Sequence, residues 1–193
     1  AVPNTRQWLA DNVATGELFD VTAAMRLAPG AEPRLSLGYE FRDAEVTFMK
    51  TLPPIQDGAG YSTIDDNAYT LVVEHGHLRA PSGGDVNVAG TVLRVPDMRI
   101  KPAPAAITLH SDSTITAALA LLDQPPFQFL TKAGKPVDLA EGRATLTTDL
   151  ALAFVKKLRP EDVDYHVAGT LHDVRSDRIV PGRVLQAPAL QVT

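Results

Sequence analysis

Glu74-His75-Gly76-His77 is the first place in this sequence where side chains could gather around a metal. Imidazoles at i and i+2 share one face of a strand, and histidine nitrogens are common zinc ligands. The sequence sets no third ligand beside them, and the same residues make an ordinary polar hairpin turn, which is the reading adopted. His110-Ser111-Asp112-Ser113 holds the residue types of a hydrolytic triad. Residues adjacent in sequence cannot stand in relay geometry, and serines ahead of an apolar helix are better explained as caps. Asp65-Asp66 offers paired carboxylates for acid–base work or calcium, but Asp-Asp-Asn between apolar runs is the composition of an Asx turn. Gly58-Ala59-Gly60 is too short for a dinucleotide fingerprint and opens no helix, so it too reads as a turn. No catalytic residue, metal ligand or cofactor is assigned, and the expectation is a protein that is not an enzyme. A metal-dependent hydrolase built on His75 and His77 stays as a minor alternative.

Composition narrows the classes further. The chain has 193 residues, 45% of them hydrophobic and 21% charged, which is the make-up of a folded protein and not of a disordered one. It has no cysteine, so disulfide scaffolds, thiolate zinc sites and cysteine nucleophiles are excluded. A formal charge of −5 argues against a grip on phosphates, and nucleic acid is not expected as a partner. No apolar run is long enough for a membrane-spanning helix. The N-terminal Ala1-Val2-Pro3-Asn4 is neither a signal peptide nor an initiator methionine, so an excised part of a longer protein is expected.

The elements that would position these residues are mostly strands, because 15 prolines and 13 glycines break the chain too often for long helices. A short helix is expected over about 4–15, capped by Asn4 or Thr5 and ended by Gly16. Phe19, Val21, Ala23, Met25 and Leu27 then alternate with mostly polar neighbours, a half-buried strand closed by Pro29-Gly30. The next run starts on the parity of Leu35, Leu37, Tyr39 and Phe41 and continues on that of Ala44, Val46 and Phe48, which predicts a bulge or turn near Arg42-Asp43. Short strands follow at 60–65, 69–74, 77–80 and 85–95, separated by Asp65-Asp66-Asn67, His75-Gly76 and Ser82-Gly83-Gly84. Ile115, Ala118, Leu119 and Leu122 recur at helical spacing inside a helical insert of about 111–131, with Ser111 or Ser113 as cap and Pro125-Pro126 as stop. Phe127 to Leu130 is a second apolar segment able to touch a membrane, plug a groove or pack on that helix. Leu146, Leu150, Leu152 and Phe154 share one strand face, Val163, Tyr165, Val167 and Leu171 another, and a last strand is expected at 184–192. The run Val86 to Ile100 also aligns without gaps on Tyr165 to Ile179, sharing a Val-Ala-Gly-Thr core, as a repeated strand–turn–strand unit would.

Several of these segments, taken in order, resemble one family. Arg6-Gln7-Trp8-Leu9 running into Asn12-Val13-Ala14 and Gly16, then Phe41 to Val46, Leu52-Pro53-Pro54-Ile55 and Gly58-Ala59-Gly60-Tyr61, are similar to the central region of AsmA-like proteins of the YhdP type. The stretch Ala118 to Asp123 before Pro125, Pro160-Glu161-Asp162-Val163, and Gly169 to Val174 extend the likeness over nearly the whole chain. The resemblance implies a bridge-like lipid-transport protein of Gram-negative bacteria, anchored in the inner membrane and crossing the periplasm as a long curved sheet. Its hydrophobic groove would carry phospholipids toward the outer membrane.

The fold class expected is therefore mainly β: an open, curved, largely antiparallel sheet forming one groove segment over residues 1–193. By alternation, the groove lining is assigned to Phe19, Val21, Leu35, Leu37, Phe41, Val88, Leu146, Leu150, Leu152, Val167 and Leu171. Asp20, Arg26, Asp149, Asp164 and His166 would face solvent. The implied partners are phospholipid and, for the full-length protein, the membranes at its two ends. Taken without the resemblance, the same stripes read as the core of a sandwich or barrel. The alternative function is a β-rich periplasmic scaffolding module that binds protein without passing lipid.

Overall fold

The computed structural model describes residues 3–30, 32–125, 127–155 and 158–193. Helix α1 (Pro3–Asn12) leads straight into β1 (Val13–Arg26), followed by β2 (Arg34–Val46), β3 (Ile55–Asp65), β4 (Ala68–Arg79), β5 (Asp85–Asn87), β6 (Thr91–Val95) and β7 (Pro104–Thr114). Helices α2 (Ile115–Leu122) and α3 (Phe129–Lys132) interrupt the strands, which resume as β8 (Glu141–Ala153), β9 (Asp164–Ser176) and β10 (Leu185–Val192). All ten strands belong to one antiparallel sheet in sequence order, with β5 and β6 sharing the position between β4 and β7. The end strands β1 and β10 each pair on one side. Among the described residues no second sheet lies on the first, so neither a sandwich nor a closed barrel forms.

Bulges shape the strands where the sequence changes parity. Phe41 pairs with Gly60 and Ala44 with Gly58, so β2 carries an extra residue at Asp43, whose φ is +52°. This is the bulge expected near Arg42-Asp43, and the strand continues through it. Asp20 (φ +47°), Asp57 (φ +50°) and Asp173 (φ +52°) mark comparable breaks in β1, β3 and β9. Aspartate tolerates the left-handed region better than most side chains, which suits it to the bulge position. Gly60 has a stricter role: a Cβ there would sit 2.0 Å from the carbonyl oxygen of Val72 in the next strand.

Several expected boundaries move. Gly16 does not end α1; it lies inside β1, which begins at Val13 because Val13 pairs with Val46 and the Thr47 amide donates to the Asn12 carbonyl. His75-Gly76 is no hairpin turn, since β4 runs unbroken through it and holds the predicted strands 69–74 and most of 77–80. The hairpin at Asp66-Asn67 is present, and Arg34 holds the Asp66 carboxylate there. Ser111 and Ser113 do not cap α2, because β7 extends to Thr114. The Thr114 hydroxyl takes the cap instead, accepting from the Ala117 amide at 3.0 Å. The echoed segments also differ in form. Val88-Ala89-Gly90 breaks the first copy, with Gly90 at φ +89° and its amide donating to Val73, whereas Val167-Ala168-Gly169 lies within the continuous β9.

The core lies on one side of the sheet. Helix α2 buries Ala117 and Ala120 against it, closing a cluster of Val73, Leu78, Ala80, Val86 and Val88. A second cluster joins Ile115 to Ala140, Ala144 and Val174. At the other end of the strands, Val95, Ala103 and Ala105 pack with Met98, Tyr69 and Leu152.

Candidate functional site: an uncharged row across the sheet

Directly opposed residues in an antiparallel sheet project on the same face, so register alone traces rows of neighbours across strands. One row runs Tyr39, Ser62, Leu71, Leu93, Ile107, Leu150 and Tyr165, from β2 to β9 over seven strands. None of the seven is charged. A second row, Val13, Val46, Ile55, Leu78 and Val86, lies nearer α2 and is also free of charge. The first row passes between the two covered patches, with α2 and its cluster on one side and Met98 to Ala103 on the other. Leu71, Leu93, Ile107 and Leu150 stay half-buried there, and Tyr165 is exposed.

The opposite face has another chemistry. Gln56, His77, Asn87, Asp112, Thr145, Thr170 and Gln191 form its longest polar row, from β3 to β10. The Thr145 hydroxyl donates to Asp112 at 2.9 Å, and Arg143 pairs with the same carboxylate. Asp149 accepts from Thr108 at 2.8 Å and sits opposite His166. The sheet is thus two-sided over its whole width, one side uncharged and the other dense in ionic and amide groups.

Several hydroxyls enter the apolar side, Ser62, Tyr69, Ser111 and Thr148 among them. Ser62 is fully buried and donates to the Thr70 carbonyl at 3.0 Å, so it leaves no unsatisfied group. Tyr69, in the adjacent row between Ile64 and Val95, has its phenol pushed up by burial and stays neutral.

Most of the predicted lining falls on the uncharged side. Leu35 pairs with Met25, Leu37 with Ala23 and Ile64, and Phe41 with Leu18 and Gly60. Leu150 is in the long row; Leu152 pairs with Ala105, Leu146 with Ser111 and Gly169, Val167 with Thr148, and Leu171 with Ala144 and Leu190. Leu146 and Leu171 border the cluster under α2 and are partly covered by it. Val21 lies two residues before Ala23 and so shares its side.

Phe19 and Val88 depart from the set. The bulge at Asp20 reverses parity, so Phe19 pairs with Glu40 on the charged face, and the Arg42 guanidinium lies 5.2 Å from its ring centre. Val88 is 2% exposed, sealed in the cluster that Ala117 closes. Leu71, Leu93 and Ile107 stand in the long uncharged row but were not among the residues assigned by alternation. Leu71-Val72-Val73 and Val92-Leu93 are apolar on both parities, since Val72 and Val92 pair with each other on the far face, so alternation gives no signal there.

The residues suspected of catalysis separate. His110 and Asp112 lie on the charged face, whereas Ser113 is 3% exposed on the other side and donates to the Thr114 carbonyl. His75 and His77 line a shallow cleft with Asn87, Asp112, Thr114 and Arg143. His77 Nδ1 lies 3.7 Å from Asp57, and among the described residues no three histidine or acidic side chains converge as metal ligands.

The chain matches no family model, no curated protein and no solved structure. The likeness to AsmA-like proteins therefore rests on the sequence segments named above. Among the described residues no helix is long and apolar enough to cross a membrane.

Proposed function

We propose that this chain is a segment of a periplasmic lipid-transport conduit, whose uncharged face shields phospholipid acyl chains between the inner and outer membranes. The observation that carries the reading is the row from Tyr39 to Tyr165, uncharged over seven strands and roofed by no second sheet among the described residues. A row crossing the strands gives an acyl chain an uncharged neighbour on strand after strand. Each methylene kept from water is worth about 0.8 kcal/mol, so a lipid leaving a bilayer needs a lining of this kind to move at a useful rate. The ionic groups on the far face keep the other side wetted. The AsmA-like resemblance supports the same reading and adds the inner-membrane anchor and periplasmic setting of the parent protein.

The test is lipid capture by the purified chain. Native mass spectrometry and thin-layer chromatography of extracts should show co-purifying phospholipid, and a photoreactive residue at Leu150 or Val167 should crosslink to it. The variant Leu150→Glu, which sets a carboxylate in the middle of the row, should lose the lipid while keeping its far-UV spectrum. Lipid-free protein with no crosslink at either position would remove the proposal. Protein captured in place of lipid would favour the scaffolding reading.

A further inference from the structure

Between β7 and β8 the chain leaves the sheet and returns to it as an arm. Helix α2 seats the arm on the uncharged side, where Leu119 packs beside Leu146 and Leu171. The return is tied down as well. Ala140 is buried with Ile115, the Ser176 hydroxyl donates to the Leu139 carbonyl at 2.6 Å, and Arg178 pairs with Asp138. The tip between these anchors is braced, because the Asp123 carboxylate accepts from both the amide and the hydroxyl of Thr131, at 2.8 and 2.6 Å. Gln128, at φ +50°, turns the backbone between Phe127 and Phe129, whose rings stack with centres 5.7 Å apart. The tip still leaves Leu122 47% and Phe129 49% exposed.

Charge accompanies these apolar side chains. From Gln124 to Val137 there are two lysines, Lys132 and Lys135, and no acidic residue, in a chain whose formal charge is −5. Both lysines are exposed. The carboxylates that flank the stretch are already engaged, Asp123 by Thr131 and Asp138 by Arg178. Arg34, Arg99 and Arg159, at the other ends of the strands, each meet a carboxylate, whereas among the described residues Lys135 meets none.

We propose that the tip of this arm holds the head of an anionic phospholipid whose acyl chains lie on the uncharged face. Lys132 and Lys135 meet the phosphate, and Leu122 and Phe129 cover the methylenes next to it. Apolar contact joined to cationic attraction is the combination that holds anionic lipid at protein surfaces. The proposal rests on the lipid-conduit reading and adds to it the class of head. An ethanolamine head brings an ammonium that finds no open carboxylate on the arm. A glycerol head brings hydroxyls and a net negative charge, so the arm selects phosphatidylglycerol over phosphatidylethanolamine.

The purified chain is incubated with vesicles of phosphatidylcholine, phosphatidylethanolamine and phosphatidylglycerol in equal parts, all with the same acyl chains, and re-isolated. Native mass spectrometry should show phosphatidylglycerol enriched about threefold or more over phosphatidylethanolamine. Lys135→Glu should abolish the enrichment with total bound lipid and the far-UV spectrum unchanged, while Lys135→Arg keeps it. A photoreactive residue at Phe129 should crosslink to the bound lipid, and one at His166, on the charged face, should not. Lipid bound without head preference, enrichment that survives Lys135→Glu, or crosslinking at Leu150 but never at Phe129 would overturn the head-group proposal and leave the conduit reading standing. A chain that takes up no lipid would remove both.

Discussion

Replacing Gly60 by alanine tests whether the bulged centre of the sheet is as tight as its geometry requires. The new Cβ would stand 2.0 Å from the Val72 carbonyl oxygen and 3.1 Å from the Glu74 amide nitrogen, both backbone atoms of the next strand. No side chain can rotate away to make room, so β3 and β4 must part by about an ångström at a point where both are paired. Overpacking of this kind costs about 1–3 kcal/mol. Holding alanine at a φ of +157° adds backbone strain of about 1–3 kcal/mol. At roughly 2–4 °C per kcal/mol for a chain of this size, the melting temperature should fall by about 10 °C. Gly84→Ala is the matched control: its φ is +98° and nothing lies within 4 Å of the added Cβ, so it carries backbone strain without the clash. Urea unfolding of the two variants beside the native chain separates the contributions. Equal destabilisation would refute the steric reasoning and imply that β3 and β4 are not in the register described.

Other expectations follow from single contacts. Thr114→Ala removes the acceptor for the Ala117 amide and the donor to the Gly83 carbonyl, and should cost about 1–2 kcal/mol in chemical denaturation; Thr114→Ser should recover most of it. Val88→Asp sets a carboxylate where the native side chain is 2% exposed and should leave little folded protein on circular dichroism, whereas Leu150→Glu on the half-buried row should fold. Arg34, through its hydrogen bonds, holds the Asp66 carboxyl below its ordinary value. The pair therefore stabilises the fold above the ordinary carboxylate range, and that contribution is lost as pH falls through the lowered pKa. The stability difference between native protein and Arg34→Gln should shrink on acidification, and an Asp66 carboxyl titration followed by NMR should move up toward the ordinary range in the variant.

Much of this architecture was legible wherever polarity alternates with the pleat. β9 reads cleanly because Tyr165, Val167 and Leu171 alternate with Asp164, His166 and His172, and the parity change at Arg42-Asp43 reports a real bulge. The bulge at Asp20 was hidden because Ala23-Ala24 is small and apolar on both sides; it reverses Phe19 and leaves Val21 in place. β7 was missed over much of its length, since Ala105-Ala106 carries little face preference and the polar run His110 to Thr114 looks like the approach to a helix. Glycine misled twice, at Gly16 and Gly76, because a residue free to end a helix or turn a hairpin is equally at home within a bulged strand. The cover provided by α2 depends on where the helix folds back, which no local pattern states.

The junction between β6 and β7 has a mechanical consequence. β1 and β10 are opposite edges of a sheet whose strands pair in sequence order, so tension applied between them passes through each interface in series. The β7–β8 ladder holds from Pro104–Ala153 to Thr114–Arg143, but β7 pairs with the preceding strands over a shorter stretch, at Asn87–Asp112 and from Val92–Thr108 to Arg94–Ala106, with the Thr91 hydroxyl bonded to the His110 backbone between them. That seam is where a stretched sheet would tear first. Helix α2 leaves from the end of β7 and plants Ala117 among Val73, Leu78, Val86 and Val88 on the far side of it. The helix thus acts as a clasp, and the force needed to separate the two halves is set by its packing more than by the few backbone bonds beneath it.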